Sequence, residues 1–137
     1  MSASALARIE AAIGWESAER THTVEAGRLR RFAEAIGDSN HRWPDEVPPT
    51  FLVTMLAEPP DFPGALDYGA GWLNAGDRFE YARPIRAGDG LRSQTRLTNA
   101  YEKKGSTGLM LFLVFETVFR NAAGQPVAKH IGTRIRR

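Results

Sequence analysis

Between Leu109 and Arg120 the sequence reads LMLFLVFETVFR, and no other stretch restricts the fold as tightly. Taken at every second residue, one set is Leu109, Leu111, Leu113 and Phe115 and the other is Met110, Phe112 and Val114. Both sets begin apolar, so a strand here has no face suited to water and is expected to be buried on both faces. Its neighbours read as strands too. Trp72 to Ile85 alternates Phe79 and Tyr81 against Arg78 and Glu80 ahead of Pro84. Leu91 to Tyr101 sets Leu91, Ser93, Thr95 and Leu97 against Arg92, Gln94 and Arg96, a strand with one wet face. Pro126 to Arg136 closes the series with Val127, Ile131 and Ile135 roughly in step. Turns at Ala87–Gly90, Gly105–Gly108 and Asn121–Gln125 separate them, which predicts an antiparallel meander from Gly90 onward.

The first half reads differently. Residues 4–13 place Leu6, Ile9 and Ile13 at helical spacing, and Gly14 ends that helix. Ser17 to Glu25 reads as a first strand around Thr21-His22-Thr23-Val24. Gly27 to Ile36 gathers Leu29, Phe32, Ala33 and Ile36 on one face of a second helix, stopped by Gly37. A polar loop follows, then Pro48-Pro49-Thr50 and the apolar run Phe51 to Leu56. Proline suits a first helical turn, so a central helix is predicted from about Pro49. Its first free amides, on Thr50 and Phe51, would present the positive end of the helix dipole to a carbonyl oxygen or oxyanion. Residues 58–71, with three prolines and three glycines, read as a contact-bearing loop. A curled sheet around one helix would bury Phe51, Leu52, Met55 and Leu56, an α+β architecture in a single domain over 1–137. The open sheet edge and the doubly apolar strand predict a dimer.

Composition removes other classes. The absence of cysteine excludes disulfides, thiolate nucleophiles and cysteine-ligated metals, and with no secretory-type leader it points to a cytoplasmic, soluble protein. The longest apolar run is too short to span a bilayer. Net charge is only +2, and the late basic residues Lys103, Lys104, Arg134, Arg136 and Arg137 read as a solvated rim. Arg78-Phe79-Glu80-Tyr81 interleaves bases with aromatics, but the neighbouring acid argues against nucleic acid. Neither a metalloprotease helix motif, nor a phosphate loop, nor a serine elbow occurs. His22 and His130 lie in strand-like segments with no carboxylate at ligand spacing and read as structural.

Several strings together resemble a known family. They are Arg31-Phe32-Ala33-Glu34-Ala35-Ile36-Gly37-Asp38-Ser39-Asn40, Pro48-Pro49-Thr50-Phe51, Phe79-Glu80-Tyr81-Ala82-Arg83-Pro84-Ile85 with Gly88-Asp89, and Gly132-Thr133-Arg134-Ile135-Arg136. In order and spacing they resemble the MaoC-like hot-dog dehydratases and hydratases, in particular the group related to fungal fatty-acid-synthase dehydratase domains. The resemblance implies a hot-dog fold and acyl thioesters carried on coenzyme A or acyl carrier protein. It also implies reversible addition of water to a trans-2-enoyl bond, with no metal or redox cofactor. In active members a loop of the form Gly-Asp-x-Asn-Pro-(aliphatic)-His holds the water. Water must lose a proton at C3 while C2 gains one, so acid and base must reach the same molecule. Backbone amides at the central helix start polarise the thioester carbonyl.

On this pattern Asp38 and Asn40 stand in place, but the histidine position, five residues after Asp38, is Trp43. His41 takes the proline position instead. Asp38 and His41 are therefore the candidate catalytic pair, with Asn40, Trp43, Thr50, Phe51, Arg83 and Arg86 as candidate substrate contacts. Each has a plainer role: Asp38 or Asn40 could close a turn, Trp43 could lid the core, Thr50 could cap a helix, and the two arginines could be solvated. Three functions remain open: a homodimeric hydratase or dehydratase, a non-catalytic acyl-binding half paired in a heterodimer with a motif-bearing hot-dog chain, and a thioesterase of the same fold.

Overall fold

The alternating segments of the second half form the strands their patterns predict. In the computed structural model, which describes residues 2–40 and 45–137 and only the backbone of residues 2–4, the order is α1 (Ser2–Ala11), β1 (Arg20–Thr23), α2 (Ala26–Ala35), two 3-10 turns at Phe51–Met55 and Pro63–Ala65, then β2 (Trp72–Tyr81), β3 (Gly90–Gly105), β4 (Gly108–Arg120) and β5 (Pro126–Arg136). All pairings are antiparallel, in the order β1-β3-β4-β5-β2. The sheet curls around the helical segments in an α+β hot-dog arrangement. The first strand is shorter than predicted: Ser17 to Glu19, Val24 and Glu25 lie outside it, and ahead of it only an isolated bridge joins Glu16 to Arg96. No helix among the described residues is long and apolar enough to cross a membrane.

The predicted central helix is a 3-10 turn rather than an α-helix. Its amides bond three residues back, Phe51 to Pro48 at 3.0 Å and Val53 to Thr50 at 3.1 Å. Prolines at 48, 49, 59 and 60 bracket the segment and the β-branched Val53 and Thr54 sit inside it, so little room or propensity remains for a longer helix. Burial is nonetheless as predicted: Phe51, Leu52 and Met55 are buried and Leu56 half-buried. Each such side chain contributes about 1.5–3 kcal/mol of transfer free energy. Arg28 and Arg20 reach across to the carbonyls of Thr54 (2.9 Å) and Met55 (3.4 Å), taking over acceptors that a longer helix would have satisfied internally.

Two apolar clusters line the inner face. One joins Val24 and Leu29 to the 3-10 turn and to Leu91 and Phe119. The other joins Ile9 to Leu97, Leu111, Leu113, Phe115 and, unexpectedly, Phe62, Ala65 and Tyr68 of the 58–71 loop, which thus supplies core as well as contacts. That loop is held by Arg136. Its buried guanidinium donates to the carbonyls of Ala65 (3.1 Å), Tyr68 (2.9 Å), Leu66 (2.9 Å) and Gly69 (3.3 Å) and lies 5.0 Å from the centre of the Trp72 ring. Gly69 is required there: its φ is +66° and a Cβ would stand 2.3 Å from the Arg137 backbone.

Two strand readings need correction. β4 is buried on one face only, at alternate residues from Leu111 to Phe119 with Leu109 exposed at its start; its second set is half-buried, because within this chain a single sheet receives helical cover on one side. In β5 the buried residues include His130, Arg134 and Arg136, while Ile131 and Ile135 face the half-exposed side. The register decides this. Leu111, Leu113, Phe115 and Thr117 pair with Arg136, Arg134, Gly132 and His130, so the polar set of β5 shares the inner face with the core of β4. Arg134 and Arg136 are accordingly buried organisers and not a solvated rim.

Candidate functional site

The loop predicted to hold water begins at Asp38, whose amide donates to Ala33 at 2.9 Å beyond Gly37, a glycine at φ +70° that ends the helical path. Asp38 Oδ1 accepts the Asn40 amide at 2.9 Å, an Asx turn in which the acid is half-buried and Asn40 exposed. His41 and Trp43 lie outside the described residues. Thr50 is exposed at the start of the 3-10 turn. Phe51 is fully buried, its ring 5.5 Å edge-on from Phe32, and its amide is committed to Pro48, so it is not the free donor the α-helical reading implied. Arg83 is exposed and lines an open surface depression with Pro49 and Tyr81, whose hydroxyl donates to the Pro49 carbonyl at 2.7 Å. Arg86 is also exposed, its amide held by Asp89 at 2.9 Å.

A second, denser group of functional side chains sits on the inner face of the sheet. Arg134, its side chain 4% exposed, donates to Asp77 Oδ1 at 2.8 Å and pairs with both oxygens of Glu58. His130 Nε2 lies 2.6 Å from the same Asp77 oxygen, and Asn74 donates to the other at 3.0 Å. Asn74 and Asp77 are three residues apart and would point to opposite faces of a regular strand. The register shift between Asn74 and Gly76, where Gly76 adopts φ +138°, inserts one extra residue and brings both to the inner face. Gly132 gives the side chains room, since a Cβ there would stand 2.6 Å from the His130 ring and 3.0 Å from Arg134. His130 and Arg134 line a narrow cleft that also holds Thr95 and Thr117, whose hydroxyls are 2.7 Å apart, with Trp15 and Phe115 on its apolar side.

Partners set each charge in the group against the cost of burial. Burial pushes the Asp77 carboxyl up, but hydrogen bonds from Asn74, Arg134 and His130 and the positive charge of Arg134 outweigh it and hold the group down at about 2. Burial lowers the His130 imidazole, against the opposing pull of Asp77. Burial likewise works against the Arg134 cation, but Glu58 and Asp77 more than compensate. At neutral pH the group is thus an ionised acid, a cation and a neutral imidazole.

Comparison with known proteins agrees with this architecture. The family model described as FAS1-like, dehydratase domain region, matches residues 11–130. The chain belongs to the FAS1-like dehydratase domain family. A UPF0336 protein of Saccharopolyspora erythraea is 30% identical to this FAS1-like domain over 138 residues, covering 85% of the chain and 84% of the relative. Another, from Streptomyces coelicolor, is 35% identical over 92 residues, 52% of the chain and 59% of the relative, so that match spans less than two thirds of the relative's length. Among solved structures, the ChsH1-ChsH2 complex of Mycobacterium tuberculosis aligns with a TM-score of 0.76 at 20% identity, covering 98% of this chain and 89% of that one. The HadBC (3R-hydroxyacyl-ACP dehydratase) complex of the same organism aligns at 0.71 and 19%, covering 90% and 96%. A MaoC-like dehydratase aligns at 0.77 and 23%, covering 93% of this chain and 42% of that one. At these identities the likeness establishes the hot-dog fold alone.

The inner-face group of this FAS1-like domain escapes a reading by sequence spacing. His130 and Asp77 are 53 residues apart and meet only because β2 pairs with β5. One signal was present: His130, Gly132, Arg134 and Arg136 share a parity, so any register burying one of them buries a polar row.

Proposed function

We propose that this chain is an acyl-thioester-binding subunit of hydratase or dehydratase type, and that its water chemistry is completed by a second hot-dog chain carrying the full acid and imidazole motif. One observation carries the reading. At the junction where a thioester carbonyl and a water would meet, two of the groups the chemistry would call on are engaged internally, the Phe51 amide on Pro48 and Asp38 Oδ1 with the Asn40 amide. The position where the family places its base is Trp43. The chain then contributes apolar walls and a basic approach: Arg83 stands exposed in the depression that holds Pro49, and Arg86 is exposed across an isolated bridge from Glu46, so that a phosphate of coenzyme A or of an acyl carrier protein can be met there.

Pairing is supported by the sheet itself. β2 ends the strand order with an open edge from Trp72 to Tyr81, against only four residues at the β1 edge. Two of the solved structures that the chain resembles are complexes, ChsH1-ChsH2 and HadBC.

The test is to purify the chain and follow loss of enoyl absorbance from crotonyl-CoA, alone and with a motif-bearing hot-dog chain added. Inactivity alone with activity on pairing is expected. Turnover by the chain alone that disappears in Asp38→Asn would make it an autonomous hydratase and overturn the subunit reading, and release of free thiol would make it a thioesterase.

A further inference from the structure

Along the inner face of β3, β4 and β5 a polar row interrupts the core. Thr95 pairs in register with Thr117, and Thr117 with His130; on β4 the row is flanked by Phe115 and Phe119 of the apolar clusters, on β3 by Leu97 and the buried Ser93, and on β5 by Ala128 and by Gly132 ahead of Arg134. Most of this row is satisfied. The Thr95 amide donates to Ser17 Oγ at 3.0 Å and the two threonine hydroxyls bond to each other. His130 is the exception: its side chain is 4% exposed and its Nδ1, fully buried, has no hydrogen-bond partner among the described residues.

The chemistry of that nitrogen follows from what holds the other. Asp77 takes hydrogen bonds from Arg134 and Asn74 and is a carboxylate, which can only accept. His130 Nε2, at 2.6 Å from it, therefore carries the ring hydrogen, and in the neutral ring Nδ1 is a bare lone pair. A buried acceptor of this kind is unfavourable unless a donor meets it. The missing partner is an O–H or N–H group. A carbonyl or carboxylate offers no hydrogen, and the acids Asp77 and Glu58 beside the ring repel an anion. A cavity of about 30 Å³ opens here, bounded by the Leu56–Asp61 segment and by Trp15 and Phe115. That is room for roughly two water molecules as the cleft stands. Glu58, salt-bridged to Arg134, fastens the covering segment to the sheet.

We propose that this cleft recognises a hydroxyl group, with His130 Nδ1 accepting the hydrogen bond from an alcohol borne on an acyl chain that lies against Trp15, Leu56 and Phe115. Asp77 fixes the ring tautomer and Arg134 fixes Asp77, so both are positioning residues. The acyl carrier rests on the function proposed above; the preference for a hydroxyl rests on the His130 geometry alone.

The experiment uses the intact chain and three probes: 3-hydroxybutyryl-CoA, butyryl-CoA and 1-butanol. Calorimetry gives affinities, and long-range proton–nitrogen spectra follow the His130 ring. The hydroxyacyl ester should bind about tenfold more tightly than the plain ester, the worth of one good hydrogen bond, and should move the Nδ1 signal. In His130→Phe the two esters should bind alike. If neither ester binds but 1-butanol moves the ring signals, the hydroxyl site stands and the thioester reading falls. Equal affinity of the two esters for the wild-type chain, or no hydroxyl probe shifting Nδ1, would leave a pocket for water only and overturn the proposal, whether or not His130→Phe folds.

Discussion

The segment from Gly37 to Leu56 and the inner face around Asp77, His130 and Arg134 both bring acids close to apolar walls, yet they treat their polar groups in opposite ways. At the loop, Asp38 is half-buried and closes a turn two residues on, an arrangement that any solvated Asx turn reproduces. On the sheet, Asp77 receives donors from three side chains drawn from two strands, and its side chain is about a quarter exposed. A local hydrogen bond can be made before the fold exists; the Asp77 network exists only after β2 and β5 have paired. The hydrogen bond from the Asn40 amide to Asp38 is thus set by local geometry, and the Asp77 network is part of what holds the sheet together.

The largest effect should come from Arg134. Replacing it with Met removes one partner of a buried ionic network and leaves Asp77 and Glu58 facing each other, a loss of about 3–5 kcal/mol in denaturant unfolding. A loss below about 1 kcal/mol would mean the network is no more consequential than the loop.

An intermediate effect should appear on acidification. The His130 pKa is lowered in the fold, so between that value and the ordinary value near 6.5 the unfolded chain binds the extra proton. Stability is then complete above about pH 6.5 and declines as pH falls below it. His22 is shifted in the same direction, by burial first and then by Arg20 and Arg28. His130→Gln should flatten the slope without abolishing it. An unchanged slope would separate the imidazole from the buried network. Asp77, held at about 2, gives no contrast in this window, since its contribution is lost only as pH falls below about 4.

The smallest effect should be that of Asp38→Asn, which keeps the turn acceptor: less than about 0.5 kcal/mol, as for a surface change away from any special feature. A substantially larger loss would show that the loop acid is coupled to groups beyond Asn40, and the contrast between the two regions would narrow.

Much of the architecture was legible before any coordinates. Alternation in Leu91–Tyr101 and the two apolar sets of Leu109–Phe115 specify a meander, because side-chain parity along a strand is a local property. The same reasoning placed Phe51, Leu52 and Met55 in the core. It failed where local preference and tertiary demand part. Proline at 49 suits a helix start, but the segment forms a 3-10 turn that ends at Met55, with the β-branched Val53 and Thr54 inside it. Ile131 and Ile135 are apolar, yet pairing with β4 assigns the inner face to His130 and Arg134. The extra residue between Asn74 and Gly76 changes which side chains of β2 share a face, and nothing in an alternation count reveals it.

What the order of residues settled alone is therefore the set of elements, the apolar segment they enclose and the family the chain joins, all readable from short-range periodicity and motif spacing. Register, and with it the meeting of Asp77 with His130 across 53 residues, was decided only when the strands paired. A cross-strand hydrogen-bond ladder is indifferent to side-chain identity. Its alignment is chosen by the packing of the whole inner face at once, and that sum is not written in any single stretch of the chain.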